Sequence, residues 1–167
     1  MGDATEIRIV PVSEGNFYMP YTHFVYQGHY APSAPQNTPL SSFQNGSIQL
    51  LAAELALQDG VLQVRLNWNQ PADLPRPTGD YVIFVHVLGE DGSIAAQADR
   101  RPGNGTLPPG NWLPGQLADQ LDISISQLPP GTYDVVLGLF DPVTFERLVP
   151  VNGDESNRLH IGSFALD

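Results

Sequence analysis

Tyr81-Val82-Ile83-Phe84-Val85-His86-Val87-Leu88-Gly89-Glu90-Asp91-Gly92-Ser93-Ile94-Ala95-Ala96-Gln97-Ala98-Asp99 decides the fold. Tyr81 to Leu88 is apolar at alternate and intervening positions alike, as a strand is when neighbours flank it and both faces are covered. Gly89-Glu90-Asp91-Gly92 then turns the chain into a second strand from Ile94. Downstream, Asp119 to Ile125 alternates, with Leu121, Ile123 and Ile125 on the inward face. Thr132 to Phe140, entered through Pro129-Pro130-Gly131, reads as a second two-sided central strand, and Leu159 to Leu166 closes the chain. Upstream, Ile48 to Leu57 runs into Asp59-Gly60, a hairpin signal. Leu62, Val64, Leu66 and Trp68 follow on one face, with Gln63, Arg65 and Asn67 on the other. The Ala-rich middle of Ile48–Leu57 admits a helix, but the strict alternation after the turn favours the hairpin. The sum is about eight or nine strands in an all-β antiparallel sandwich, jelly-roll or immunoglobulin-like.

The chain has 167 residues, enough for one domain with a sizeable core. We divide it into residues 1–46, an N-terminal edge strand with an aromatic and Pro-rich extension wrapping the domain, and residues 47–167, the sandwich. The edge strand is expected within Glu6–Val12, and residues 13–46 carry no period. Sixteen glycines and sixteen prolines suit many turns rather than long helices. The net charge of −11 argues against nucleic acid or an anionic membrane surface. No lysine is present, which removes Schiff-base and phosphate-loop lysines, and no cysteine is present to form a disulfide framework. No apolar run approaches the roughly 18–20 residues of a membrane-spanning helix, so no transmembrane segment is expected in this chain. Met1 to Glu6 lacks a signal-peptide pattern.

Candidate chemistry is sparse. Trp112, behind Pro108-Pro109-Gly110-Asn111, is either an exposed ring on which a sugar stacks or a lid folded onto the end of the sandwich. Residues 17–30 hold six aromatics and two histidines, His23 and His29. Of these, Tyr18, Tyr21, Tyr26 and Tyr30 join Trp112 as candidate glycan-stacking residues; the other readings are a membrane-interface belt and rings buried on the sandwich flank. Trp68 reads as core. His86 with Asp99 reads as an inward histidine bonded to a carboxylate, with half a metal site as the sharper alternative. Asp141, Asp154 and Glu155 are candidate ligands for a structural Ca²⁺, against the plainer reading of solvated charge. No cofactor motif, catalytic triad or zinc spacing appears in the sequence, and no catalytic residue is assigned.

Several of these stretches carry a resemblance: Phe84-Val85-His86-Val87-Leu88, Glu90-Asp91-Gly92, Ala96-Gln97-Ala98-Asp99, Trp112-Leu113-Pro114-Gly115, Pro130-Gly131-Thr132-Tyr133 and Gly138-Leu139-Phe140-Asp141-Pro142. Roughly residues 47 to 167 resemble the β-sandwich domain that follows the membrane-embedded part of bacterial and archaeal glycosyltransferases of the protein-mannosyltransferase type. The resemblance implies a non-catalytic, extracytoplasmic accessory domain that binds glycan or acceptor, or supports the enzyme's external loops. Its implied partners are a glycan or the membrane part of the parent enzyme; chemistry in that family belongs to loops this chain lacks. Phe140 stands where the family has Tyr, and the aromatic stretch before residue 47 has no counterpart there. The alternatives are a free-standing carbohydrate-binding module and a small sandwich enzyme acting on sugars; without the resemblance, the plain expectation is a cytoplasmic globular domain.

Overall fold

The computed structural model describes residues 38–167 together with the backbone of three two-residue strands, β1 (Ile7–Arg8), β2 (Val25–Tyr26) and β3 (Tyr30–Ala31). The remaining strands are β4 (Ser41–Phe43), β5 (Ile48–Gln58), β6 (Val61–Gln70), β7 (Val82–Leu88), β8 (Ile94–Arg100), β9 (Gly115–Ser124), β10 (Gly131–Phe140) and β11 (Leu159–Leu166). They form two antiparallel sheets, ordered β3-β9-β6-β5-β4 and β11-β10-β7-β8, while β1 pairs with β2 alone. The chain therefore crosses between sheets at β6 to β7, β8 to β9 and β9 to β10. That Greek-key order is the immunoglobulin-type one rather than the jelly roll. A tyrosine corner accompanies it: Tyr133, early in β10, donates its Oη hydrogen to the Pro129 carbonyl at 2.8 Å.

Ile48–Leu57 is a strand, as expected, and a bulge explains why its alternation is broken. Register shifts between Leu50 and Ala52, so one residue is spent without crossing the sheet. Ile48 and Leu50 face inward before the bulge, Ala53 and Leu55 after it. The sandwich also begins earlier than residue 47. β4 pairs with Ile48–Leu50, and Phe43 is a fully buried core ring. The Glu6–Val12 edge strand is described only at β1, and residues 13–24, 27–29 and 32–37 lie outside the described residues.

Between the sheets, Leu62, Val64, Leu66 and Trp68 of β6 meet Ile83, Val85 and Val87 of β7 and Val135, Leu137 and Leu139 of β10. Both β7 and β10 are interior strands, as their two-sided apolar pattern predicts, and every residue of β7 is buried. The part of that sheet's outer face over Phe84 and Gly138 is covered by the long β10–β11 connection, residues 141–158. Arg147 places its guanidinium 4.6 Å from the centre of the Phe84 ring, and its Nη1 donates to the Ser156 carbonyl. Gly138 makes this fit possible. A Cβ there would stand 2.3 Å from Phe84 Cζ and 3.1 Å from the Asn157 carbonyl oxygen.

Candidate functional site: a polar trench across β5, β6 and β9

The other sheet has an uncovered outer face among the described residues. Because successive side chains alternate, the residues facing away from Trp68, Leu66, Val64 and Leu62 form cross-strand rows fixed by the register. Gln49, Asn69 and Gln116 make one row; Ala52, Asn67 and Ala118 the next; Glu54, Arg65 and Gln120 the third; Ala56, Gln63 and Asp122 the fourth. The second row is low, since two of its three members are alanines. Its flanking rows stand about 14 Å apart along β6, four residues at strand rise. The result is an open cavity of about 760 Å³ floored by Ala52 and Ala118 and lined by Glu54, Arg65, Asn67, Gln116, Gln120 and Asp122.

The amides are already oriented. Asn69 Nδ2 donates to Gln49 Oε1 at 2.8 Å, Asn67 Nδ2 to Gln116 Oε1 at 3.2 Å and Gln120 Nε2 to Asp122 Oδ1 at 2.9 Å. Each amide keeps further donor or acceptor capacity for a solute.

Beside β9 the cavity is walled by Gly103 and Asn104, in the turn that leaves β8. Arg100 anchors this turn: it donates to Asn104 Oδ1, to the Gln120 carbonyl and, through Nη2 at 2.9 Å, to Asp119 Oδ1. The Asp119 side chain is only 3% exposed. Burial pushes its carboxyl above the usual range, while Arg100 and the backbone amides of Gln120, Asn104 and Gly103 pull it down. Its Oδ2 and Arg100 Nε lack hydrogen-bond partners. This buried pair therefore shapes the wall at an energetic cost.

Trp112 does not offer a stacking surface; that candidate is corrected. Gly110 N–H donates to the Gly79 carbonyl at 3.1 Å, drawing the loop down. Trp112 is left 2% exposed, with Nε1 bonded to the Leu107 carbonyl and its ring 5.9 Å from Trp68. The lid alternative is the observed state. Tyr18 and Tyr21 lie outside the described residues; Tyr26 and Tyr30 are described only as backbone in β2 and β3.

His86 is buried, but on the outer face of its sheet rather than the inward one, with its ring 4.7 Å from Phe84. Its Nε2 stands 3.9 Å from Asp99 Oδ1, beyond hydrogen-bond reach, and Nδ1 has no partner. The expected His86–Asp99 bond is thus an ion-pair contact at most. Asp141 and Asp154 are occupied as turn caps. Asp141 Oδ1 accepts the amides of Val143 and Thr144; Asp154 Oδ1 accepts those of Ser156 and Arg158, and its Oδ2 binds Arg158 Nε. Glu155 joins neither, and among the described residues no group of three His, Cys, Asp or Glu converges to hold a metal.

The structure also brings together Asp134, His160 and Ser163, which spacing does not reveal. One imidazole nitrogen, Nε2, faces both Asp134 Oδ1 at 3.3 Å and Ser163 Oγ at 3.2 Å, while Ser163 donates to Asp134 at 2.7 Å. A nucleophilic triad needs the carboxylate on one ring nitrogen and the hydroxyl on the other. This exposed cluster has different wiring. Spacing does not reveal the trench residues either, though the outward set Gln63, Arg65 and Asn67 points to that face.

The fold and this face define the chain as an immunoglobulin-type β-sandwich with a polar surface left open among the described residues. No family model matches the chain, and no curated protein matches it either.

Proposed function

We propose that this chain is a non-catalytic binding domain whose trench receives a hydroxylated ligand, a glycan, and that it serves as the extracytoplasmic accessory domain of a membrane glycosyltransferase. The observation carrying the first half is the amide-lined cavity on β5, β6 and β9. Side-chain amides donate and accept at once, which suits vicinal hydroxyls, and alanine methyls suit the C–H face of a sugar ring. The second half rests on the resemblance of residues 47–167 to the sandwich domain of protein-mannosyltransferase-type enzymes. A shallow site with no stacking ring among its described lining residues binds weakly, with dissociation constants nearer millimolar, about −4 kcal/mol.

The test is titration of the purified chain with neutral soluble oligosaccharides, followed by amide chemical shifts. Shifts should cluster on Ala52, Asn67, Ala118 and Gln120, and Asn67→Ala should weaken binding about tenfold, the loss of one well-made polar contact. Shifts confined to another face would remove the trench from the reading. For the accessory role, the full-length protein should carry apolar membrane helices joined to this domain; a full-length protein without them would favour the free-standing module.

A further inference from the structure

We infer that the trench holds a short terminal segment of a neutral, unbranched glycan chain, laid across the strands with its end against the Gly103–Asn104 turn. This inference rests on the glycan reading and sharpens it to length, direction and charge.

Direction follows from the rows. The low row Ala52, Asn67, Ala118 runs perpendicular to the strands, between the taller rows of Gln116 and of Glu54, Arg65 and Gln120. A chain lying along the strands would have to climb over those side chains. Length follows from the sheet. From β5 across β6 to β9 is about 10 Å at ordinary strand spacing, room for about two or three pyranose rings in line. The two ends differ. At β9 the turn carrying Gly103 and Asn104 blocks the way, held there by Arg100. At β5, β4 pairs only with Ile48–Leu50, so beside Ala52 and Glu54 no further strand stands among the described residues. With β5 open among the described residues, a ligand enters over β5 and stops at Asn104.

Charge follows from the lining. Arg100 is neutralised by Asp119, leaving Glu54 and Asp122 against Arg65 on a chain of net charge −11. An anionic polymer is repelled, and the amides, which donate as well as accept, complement hydroxyls on both counts.

The probes are malto-, cello- and manno-oligosaccharides of one to five units, titrated into the purified chain. For the series that binds, affinity should rise about tenfold or more from one unit to three and then stay level to five. Ala118→Glu, at an exposed floor position, should abolish binding while leaving the thermal melt unchanged, and Asn104→Gly should weaken the trisaccharide selectively over the monosaccharide. A plateau at one unit, growth continuing to five, indifference to Ala118→Glu, or preference for carboxylated or amine-bearing oligomers would overturn this placement, even with glycan binding intact. Binding by none of the three series would overturn the glycan reading itself, and this inference with it.

Discussion

Trp68 of β6 and Trp112 of the β8–β9 connection meet in the core with ring centroids 5.9 Å apart and planes tilted by 52°, a tilted aromatic contact between a strand and a loop. Phe43 continues the cluster 6.4 Å from Trp68. The loop is thereby part of the core. Trp68→Ala and Trp112→Ala should each cost about 3–5 kcal/mol in urea unfolding. The double variant should lose less than the sum. A Trp112→Ala loss under about 1 kcal/mol would mean that the loop swings free in solution.

Asp119 and Arg100 form a pair whose carboxylate side is nearly sealed. Asp119→Ala strands a partly buried guanidinium and should cost about 2–3 kcal/mol, somewhat below fully buried pairs because Arg100 keeps 24% exposure. Asp119→Leu should recover part of that loss. Equal loss in both variants would mean that the volume left by the carboxylate contributes nothing and the unpaired Arg100 guanidinium accounts for the whole loss.

Burial pushes the His86 imidazole below its usual range; Asp99 opposes this, and Arg147 and Arg158 add to it. With the folded value lowered, the unfolded chain takes up a proton that the folded chain refuses. Stability should thus fall as pH drops through about 6.5, and keep falling until the folded imidazole charges. Asp99 and Asp119 act in the opposite sense at lower pH, since burial raises both and protonation relieves them. The urea midpoint should drop between about pH 8 and 5.5 in the parent and drop less in His86→Gln. Identical pH profiles for the two would acquit His86.

Gly138→Ala would set a methyl 2.3 Å from Phe84 Cζ. The expected cost is about 1–3 kcal/mol, with partial rescue by Phe84→Leu in the same chain. If Gly138→Ala alone is neutral, the 141–158 connection does not rest on the sheet in solution.

The strands were legible wherever burial is one-sided or complete, as in β6 and β7, because period two survives in the residues themselves. What escaped had local causes. The bulge at Leu50–Ala52 masks the alternation of β5, and β4 is too short to show a period. Trp112 is ambiguous in sequence because the decisive contact, Gly110 to the Gly79 carbonyl, is long-range. Asp119 was visible in hindsight: Leu117, Asp119, Leu121 and Ile123 share one parity, so a carboxylate had to face inward. The trench could be anticipated only as an outward set on β6, since its floor depends on which residues of β5 and β9 register beside Asn67. The jelly-roll alternative failed on strand order, which no single segment encodes.

The two broad faces of the sandwich are chemically unlike: one lies partly beneath Arg147 and Asn157, the other, among the described residues, is open over Ala52 and Ala118. That asymmetry gives an experimenter a handle on orientation. The chain has no cysteine of its own, so a single thiol placed at exposed Gln97, opposite His86 on the covered sheet, would tether every molecule to a sensor surface the same way up, with its amide rows toward the flow.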